Sequence, residues 1–494
     1  MTCPILGLTC ILTKKLLVKR FKIPHIFIFL FWIIVSCSLL TYIIPSGSFE
    51  REQKDYGEIT QTVIVPDSYS EIPKNYSLQA ALLEESVEGK SSPVSVLGTL
   101  SAIPKGLADS AVLVFYLFII GSVFTVVQHT GAINAFLFAL IAKFKNKPKL
   151  LLFLVYMAVF SASSFMGILG ESIALIPVFL FLSKSLGYDR MFGFALISVP
   201  LFLGWSSGVT NPFTVQIAQI IAELPIGSGI GFRFFIYLVY AGVGFYFIIR
   251  YGNRIKKNPS VSLMKDDEFN LKEFGSFEKE KLERKHIYIL LFFVLSYAAI
   301  LLAVQWIGWG LIEMTGCFIG MLIVIAIIAR MSGDELMNAF TTGLKIMIVP
   351  ALVVGIARGI SVVLEEGMII DTILYHSSEA LLTIPKVFAA EGMLFFQTLL
   401  NFFIPSASGQ ALVSMPLMTP LSDILGISRQ IAVLAYLLGD GLSNLIIPTN
   451  GILMAMIGMA GVSYQNWLKF IFSLFIFVMI LALIFIAVAV FIGY

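Results

Sequence analysis

Long apolar stretches alternate with short polar ones from residue 25 to the end of the chain. A helix needs about 20 apolar residues to cross the hydrocarbon core of a bilayer. Stretches of that order fall at 25–45, 109–129, 150–168, 170–187, 192–211, 232–251, 287–306, 307–330, 346–366, 386–404, 411–425, 429–449 and 467–493. Several are short, or interrupted by Pro, Gly, Ser and Asn. The pattern predicts an all-α polytopic membrane protein. Composition agrees: with 58% hydrophobic residues, 13% charged and a mean hydropathy of +0.93, the 494-residue chain lacks the polar surface of a water-soluble domain.

Charge sets the expected orientation. Lys14, Lys15, Lys19, Arg20 and Lys22 precede the first apolar run, which is long enough to span and so reads as a helix rather than a cleaved signal. The basic stretch Lys143 to Lys149 and the loop 252–285 belong on the same, cytoplasmic side. The loop 46–108, richer in acids, belongs outside. The expected location is the cytoplasmic (inner) membrane of a bacterium, with the N-terminus cytoplasmic. A net charge of +3, scattered along the chain, argues against a nucleic-acid partner. Cys3, Cys10, Cys37 and Cys317 show no metal-ligand spacing and read as reduced thiols, and no cofactor or metal is called for.

The chain repeats itself. GESIALIPVFLFLSKSLGYDR (170–190) and GQALVSMPLMTPLSDILGISR (409–429) align at one constant offset, which also carries Thr210–Asn211 onto Thr449–Asn450. Gly170 meets Gly409, Glu171 meets Gln410 and Arg190 meets Arg429. The unit runs from 109 to 251 and again from 346 to 494, with a cytoplasmic linker at 252–285 and further helices at 286–345. Charge gives the two copies opposite orientations, the signature of inverted-topology repeats in secondary transporters.

That symmetry accounts for polar tracts at membrane depth. Non-helical backbone is tolerated there only where protein or a water-filled cavity satisfies it. Segments 150–187 and 386–426 read as two re-entrant helical hairpins, whose tips carry Ser163, Ser164, Gly170 and Glu171 in one copy and Ser406, Ser408, Gly409 and Gln410 in the other. The tips are expected to approach each other near the midplane. Each hairpin precedes a span broken near its middle, LGWSSGVTNPF (203–213) and LGDGLSNLIIPTNG (438–451), which offer Ser206, Thr210, Asn211, Asn444, Thr449 and Asn450 as ligands for substrate or ion. Asn401 ends the arm before the second tip. The bland alternative is close helix packing through glycine.

Ionisable residues inside spans are expensive and therefore candidates for function. They are Glu171, Arg358, Asp440 and Glu313. A purely structural role, such as a buried Arg358–Asp440 pair, competes with a site in which carboxylates take an ammonium or guanidinium and Arg358 takes a carboxylate. Lys345, Glu365, Glu366 and Glu391 lie nearer predicted span ends, where snorkelling explains them. A serine protease, suggested by SASG (406–409) and GWSSG (204–208), requires a base beside the serine, but His25, His129, His286 and His376 fall at span edges or in surface segments. Paired broken helices fit alternating access better than a continuous channel pore.

The tracts LTYIIPSGSFER (40–51), NPFTVQIAQIIAELPIGSGIGFR (211–233) and 401–451 resemble the YfcC-type carriers, grouped with the anaerobic C4-dicarboxylate carriers and arginine/ornithine antiporters of the ion-transporter superfamily. The resemblance runs from about residue 21 to 494. It implies a homodimer in which a hairpin-bearing transport domain moves against a scaffold by an elevator motion. It also implies a small-molecule substrate: arginine and ornithine in exchange, or a dicarboxylate carried with a sodium ion or proton. The superfamily's sodium-coupled dicarboxylate transporters carry Ser-Asn-Thr tips, whereas these tips read SASSF and PSASGQ.

Overall fold

The computed structural model describes residues 26–55, 60–65, 68–83, 85, 87–265, 267–269, 281–307 and 309–494. It is a predominantly helical membrane protein, all-α but for two short strand pairs, in which seven of the described helices are long and apolar enough to span a bilayer. The basic amino-terminal cluster, Cys3, Cys10 and His25 lie outside the described residues, as does much of the linker.

Every predicted span coincides with helix. The first is Ile26–Ile43 and the last Tyr464–Ile492. The segments expected as hairpin arms are helices Pro148–Ser161 and Ile176–Ser185, and Lys386–Phe403 and Ala407–Ile424. The helix expected from 346 begins earlier, as Gly333–Glu366, because Ser332 and Glu335 form a reciprocal capping box. At about 50 Å it is much longer than the hydrocarbon core is thick. Glu313 does not sit at depth: it caps the first turn of Leu311–Ala329 by accepting from Gly310 N at 2.9 Å.

The innermost elements are Arg190–Ser207 and Arg429–Ser443, the first halves of the two broken spans, the former buried along its whole length and the latter from Gln430 onward. Each is flanked by both arms of the hairpin that precedes it. They cross where Gly441 meets Ser206; a Cβ on Gly441 would stand 2.3 Å from Ser206 Cα, so only glycine permits the contact.

The segment read as an external loop is largely ordered. Strands Ser46–Ser48 and Ser70–Ile72 pair antiparallel, as do Arg51–Asp55 and Thr60–Ile64. Lys74 donates to the carbonyls of Thr41 and Ile44 at the end of the first helix, and partial burial lowers its ammonium pKa from the ordinary lysine value. Helix Val96–Asp109 then lies against Gly333–Glu366, where Gly106 comes so near Gly359 that a Cβ would stand 2.4 Å from its backbone nitrogen.

Candidate functional site

The first polar cluster joins the first hairpin tip to the first broken span. Helix Pro148–Ser161 widens into a π-turn, Ala162–Met166, and stops at Gly167 in the left-handed conformation. The turn leaves groups for the neighbouring break to use. Ser164 Oγ meets Ser207 Oγ at 2.9 Å and accepts from Val209 N. Thr210 Oγ1 donates to the Phe165 carbonyl and Asn211 Nδ2 to the Ser163 carbonyl. Ser163 Oγ donates to the Leu201 carbonyl, and Ser206 Oγ to the carbonyls of Phe202 and Leu203. Asn211 Oδ1 caps the following turn through Phe213 N. Ser163, Ser164, Thr210 and Asn211 are therefore brought together, and their polar groups are spent within the turn and the adjacent break.

The second cluster is built from the other broken span. Asn401 Nδ2 reaches the Asp440 carbonyl at 2.9 Å, Ser443 Oγ at 2.7 Å and Asn444 Oδ1 at 3.0 Å. Asn450 Nδ2 donates to Asn444 Oδ1, and Asn450 Oδ1 caps helix Gly451–Ala460. Asn401 Oδ1 and Thr449 Oγ1 are buried with no hydrogen-bond partner. Gln410, in the second hairpin, donates to Gln397 within a Gln397–Gln410–Ser414 network that composition alone did not single out.

Asp440 is buried beside the crossing of the two central helices, and its Oδ2 accepts from Trp205 Nε1 at 2.9 Å. No Lys or Arg among the described residues lies within 4 Å of it. The Arg358–Asp440 pair considered from sequence does not form. Arg358 pairs instead with Glu365 at 3.0 Å, two turns along its own helix, and with Asp109 at 3.4 Å. The docking of Gly106 against Gly359 places Asp109 there. Glu365, assigned to snorkelling from its position, is thus part of a charge cluster.

That cluster lines a cavity of about 690 Å³. Its charged walls are Arg358, Asp109 and Glu365, joined by the pair Arg51–Asp371 at 2.9 Å. Its inner end is the second hairpin tip, with Ser406 and Gly409 facing the space where helix Ala407–Ile424 begins. Ser406 is exposed there and Ser408 half-buried. Leu113 also lines the cavity, and a Cβ on Gly170, in the first hairpin, would stand 3.9 Å from Leu113 Cδ1. One side chain therefore bridges the second-tip cavity and the first hairpin. Glu171 lies in the turn Gly170–Leu175; its side chain is outside the described residues.

Among the described residues the lining carries three carboxylates against two arginines, beside the start of helix Ala407–Ile424. Asp109 and Asp371 were absent from the sequence candidates. Asp109 falls at the edge of a span, where nothing local distinguishes it from an ordinary helix end.

Comparison with known proteins places these features in context. The model of the family described as "C4-dicarboxylate anaerobic carrier" matches residues 23–491. An Escherichia coli (strain K12) protein named "Putative basic amino acid antiporter YfcC" is 30% identical over 488 residues, covering 93% of this chain and 94% of that one. An uncharacterized Haemophilus influenzae protein is 30% identical over 482 residues, covering 92% and 94%. Among solved structures, the Alcanivorax borkumensis YdaH transporter aligns with a TM-score of 0.44 at 15% identity, covering 95% of this chain and 99% of that one. Neisseria gonorrhoeae MtrF, described with a class of antimetabolite efflux pumps, aligns at 0.43 and 17%, covering 95% of each.

Proposed function

The chain belongs to the C4-dicarboxylate anaerobic carrier family, and from that premise we propose that this membrane transporter is a basic amino-acid antiporter exchanging arginine for ornithine. The observation that carries the reading is the charge of the cavity: Asp109, Glu365 and Asp371 outnumber Arg51 and Arg358. An excess carboxylate suits a substrate with one carboxylate and two cationic groups. Arg358 and the backbone at Ser406–Gly409 take the substrate carboxylate, while Asp109 and Glu365 take its ammonium and side-chain cation. A dicarboxylate would meet net repulsion from the same lining.

The transport cycle rests on the inverted repeat. Two symmetric contacts support it. Arg190, at the start of one buried helix, donates to the Ala460 carbonyl at the end of Gly451–Ala460. Arg429, its counterpart, donates to the Ala222 carbonyl just past Ile217–Ile221. Each copy thus closes the second half of the other's broken span. The hairpins and broken spans form a transport domain that moves against a scaffold built around Ile26–Ile43, Val96–His129 and Arg284–Glu366, in a homodimer set in the cytoplasmic membrane with the N-terminus inside. In this reading the cavity opens outward.

A second reading is favoured by Asn401 Oδ1 and Thr449 Oγ1, buried oxygens without partners at the second break. They offer ligands to a coupling sodium ion or to a proton-linked water, as a driven carrier of a dicarboxylate or related metabolite would need.

The test is counterflow with purified protein in liposomes loaded with ornithine, labelled arginine outside and no ion gradient. Accumulation that requires internal ornithine is the expected result. Absence of accumulation, with labelled succinate entering under a sodium or proton gradient, would replace the first reading with the second.

A further inference from the structure

A second large concavity lies away from both tips, in the face between helices Ile230–Lys257 and Tyr464–Ile492. The helices run antiparallel, with Tyr240 OH donating to the Val478 carbonyl and Phe247 edge-on to Phe470. Between them opens a groove of about 770 Å³.

Its two ends differ in chemistry. Arg250 and Arg254, one turn apart on one helix, face the groove together with Lys469 of the other. All three are exposed, and no described side chain pairs with any of their charged groups. No acidic residue among those described lines the groove. Away from this mouth the walls are Val243, Phe247, Leu474 and Phe477, and the floor is left open at Gly242, where a Cβ would have no atom within 4 Å. Twelve residues of helix separate Arg254 from Gly242, about 18 Å along the axis. Tyr246, 66% exposed, stands between the levels, as aromatic side chains do at a membrane–water boundary.

We infer that this groove is a binding site for one anionic phospholipid, with the headgroup phosphate held by Arg250, Arg254 and Lys469 and an acyl chain lying along the apolar trough. Charge complementarity selects the occupant. Among the described residues the groove offers three cations without a side-chain partner and no carboxylate, at the end of the molecule that also carries Lys256 and Lys257. The positive-inside rule turns this end toward the cytoplasmic leaflet, whose surface is negative. A second copy of this chain fits poorly: an isologous contact across the groove would bring two basic mouths together. The groove joins the last helices of the two proposed repeats, so a lipid seated there contacts both.

The test uses the full-length protein, purified in neutral detergent and titrated with phosphatidylglycerol or phosphatidylethanolamine of identical acyl chains, with bound lipid counted by native mass spectrometry. One phosphatidylglycerol molecule is expected to bind in clear preference. In the triple variant Arg250→Ala, Arg254→Ala, Lys469→Ala its affinity falls on the order of 100-fold, roughly fivefold per basic side chain, while phosphatidylethanolamine is little changed. Gly242→Trp fills the trough without touching the charges and weakens both lipids. Equal retention of the two lipids by the unaltered protein, or unchanged phosphatidylglycerol affinity in the triple variant, overturns the site. So does a dimer that binds neither lipid preferentially and dissociates on Gly242→Trp, which would assign the groove to a second copy.

Discussion

The two hairpin tips are made of similar residues and end in different situations. At the first, SASSF folds into a π-turn whose backbone and hydroxyls are claimed by Ser207, Val209, Thr210 and Asn211 of the adjacent break. At the second, Ser406 and Gly409 face an open cavity, and the neighbouring break looks inward to Asn401 instead. Related sequence thus gives one sealed tip and one accessible tip. Alternating access requires that only one side be open at a time, so under the transport reading the asymmetry belongs to the state and not to the sequence.

The sharpest way to break this comparison is accessibility. With Cys3, Cys10, Cys37 and Cys317 replaced, Ser406→Cys is expected to react fully with a membrane-impermeant maleimide added from outside, and Ser164→Cys not at all. Arginine at saturating concentration should protect Ser406→Cys. Equal labelling at both positions would remove the distinction between the tips.

The next largest effect concerns the charges on the open side. Arg358→Ala removes the partner of both Asp109 and Glu365 and is expected to lower arginine counterflow by about 10- to 100-fold, the range of one charge-assisted interaction. Asp109→Asn should raise the KM for arginine more than that for a neutral amino acid. A variant without Arg358 that exchanges normally would reduce the cluster to a helix-packing device.

Much of this architecture was legible from the residues alone. Apolar length dictates where a chain can span, so the helices fell where hydropathy placed them. Ser and Gly inside apolar runs break helices, so the helix interruptions at Ala162–Leu175 and Ile404–Ser406 were legible too. The helix start at Gly333 also has its signal, the Ser332–Glu335 capping signature, which lies upstream of the apolar run. The cavity charges were not legible. Arg358 stood out, but its partners depend on tertiary contact: Asp109 arrives through the Gly106–Gly359 approach, and Glu365 through helical spacing from a residue expected to pair elsewhere. Asp440 was recognised as a buried carboxylate, whereas its partner, the Trp205 indole, carries no charge to suggest a pairing. Glu313 shows the opposite error, a carboxylate near a span end that serves only as a cap.

A smaller effect separates the two breaks energetically. Asn401→Ala deletes the donor shared by the Asp440 carbonyl, Ser443 and Asn444, leaving buried acceptors without it, and should cost about 1–3 kcal/mol. Ser164→Ala loses a hydroxyl pair whose partner Ser207 also donates to the Gly204 carbonyl, together with a long 3.3 Å bond from Val209 N, so about 1 kcal/mol is expected. Thermal unfolding in detergent measures both. Equal losses would mean that the two breaks are equally tied, against the geometry.

The smallest effect tests what the open tip does with its serine. Ser406 caps helix Ala407–Ile424 by accepting from Gly409 N at a long 3.4 Å, and the same hydroxyl faces the cavity. The two roles predict different orders of substitution. If the hydroxyl only caps, Ser406→Ala costs about 0.5–1 kcal/mol of stability, Ser406→Gly costs a few tenths, and arginine KM stays the same in both, since glycine is itself tolerated at a helix start. If the hydroxyl also binds the substrate carboxylate, Ala and Gly raise KM alike, because both lack the group regardless of how well they end a helix. The weak cap geometry and the exposure of Ser406 favour the second order. Matched KM increases for Ala and Gly, with the larger stability loss for Ala, are therefore expected; unchanged KM in both variants would leave substrate recognition at this tip to the backbone alone.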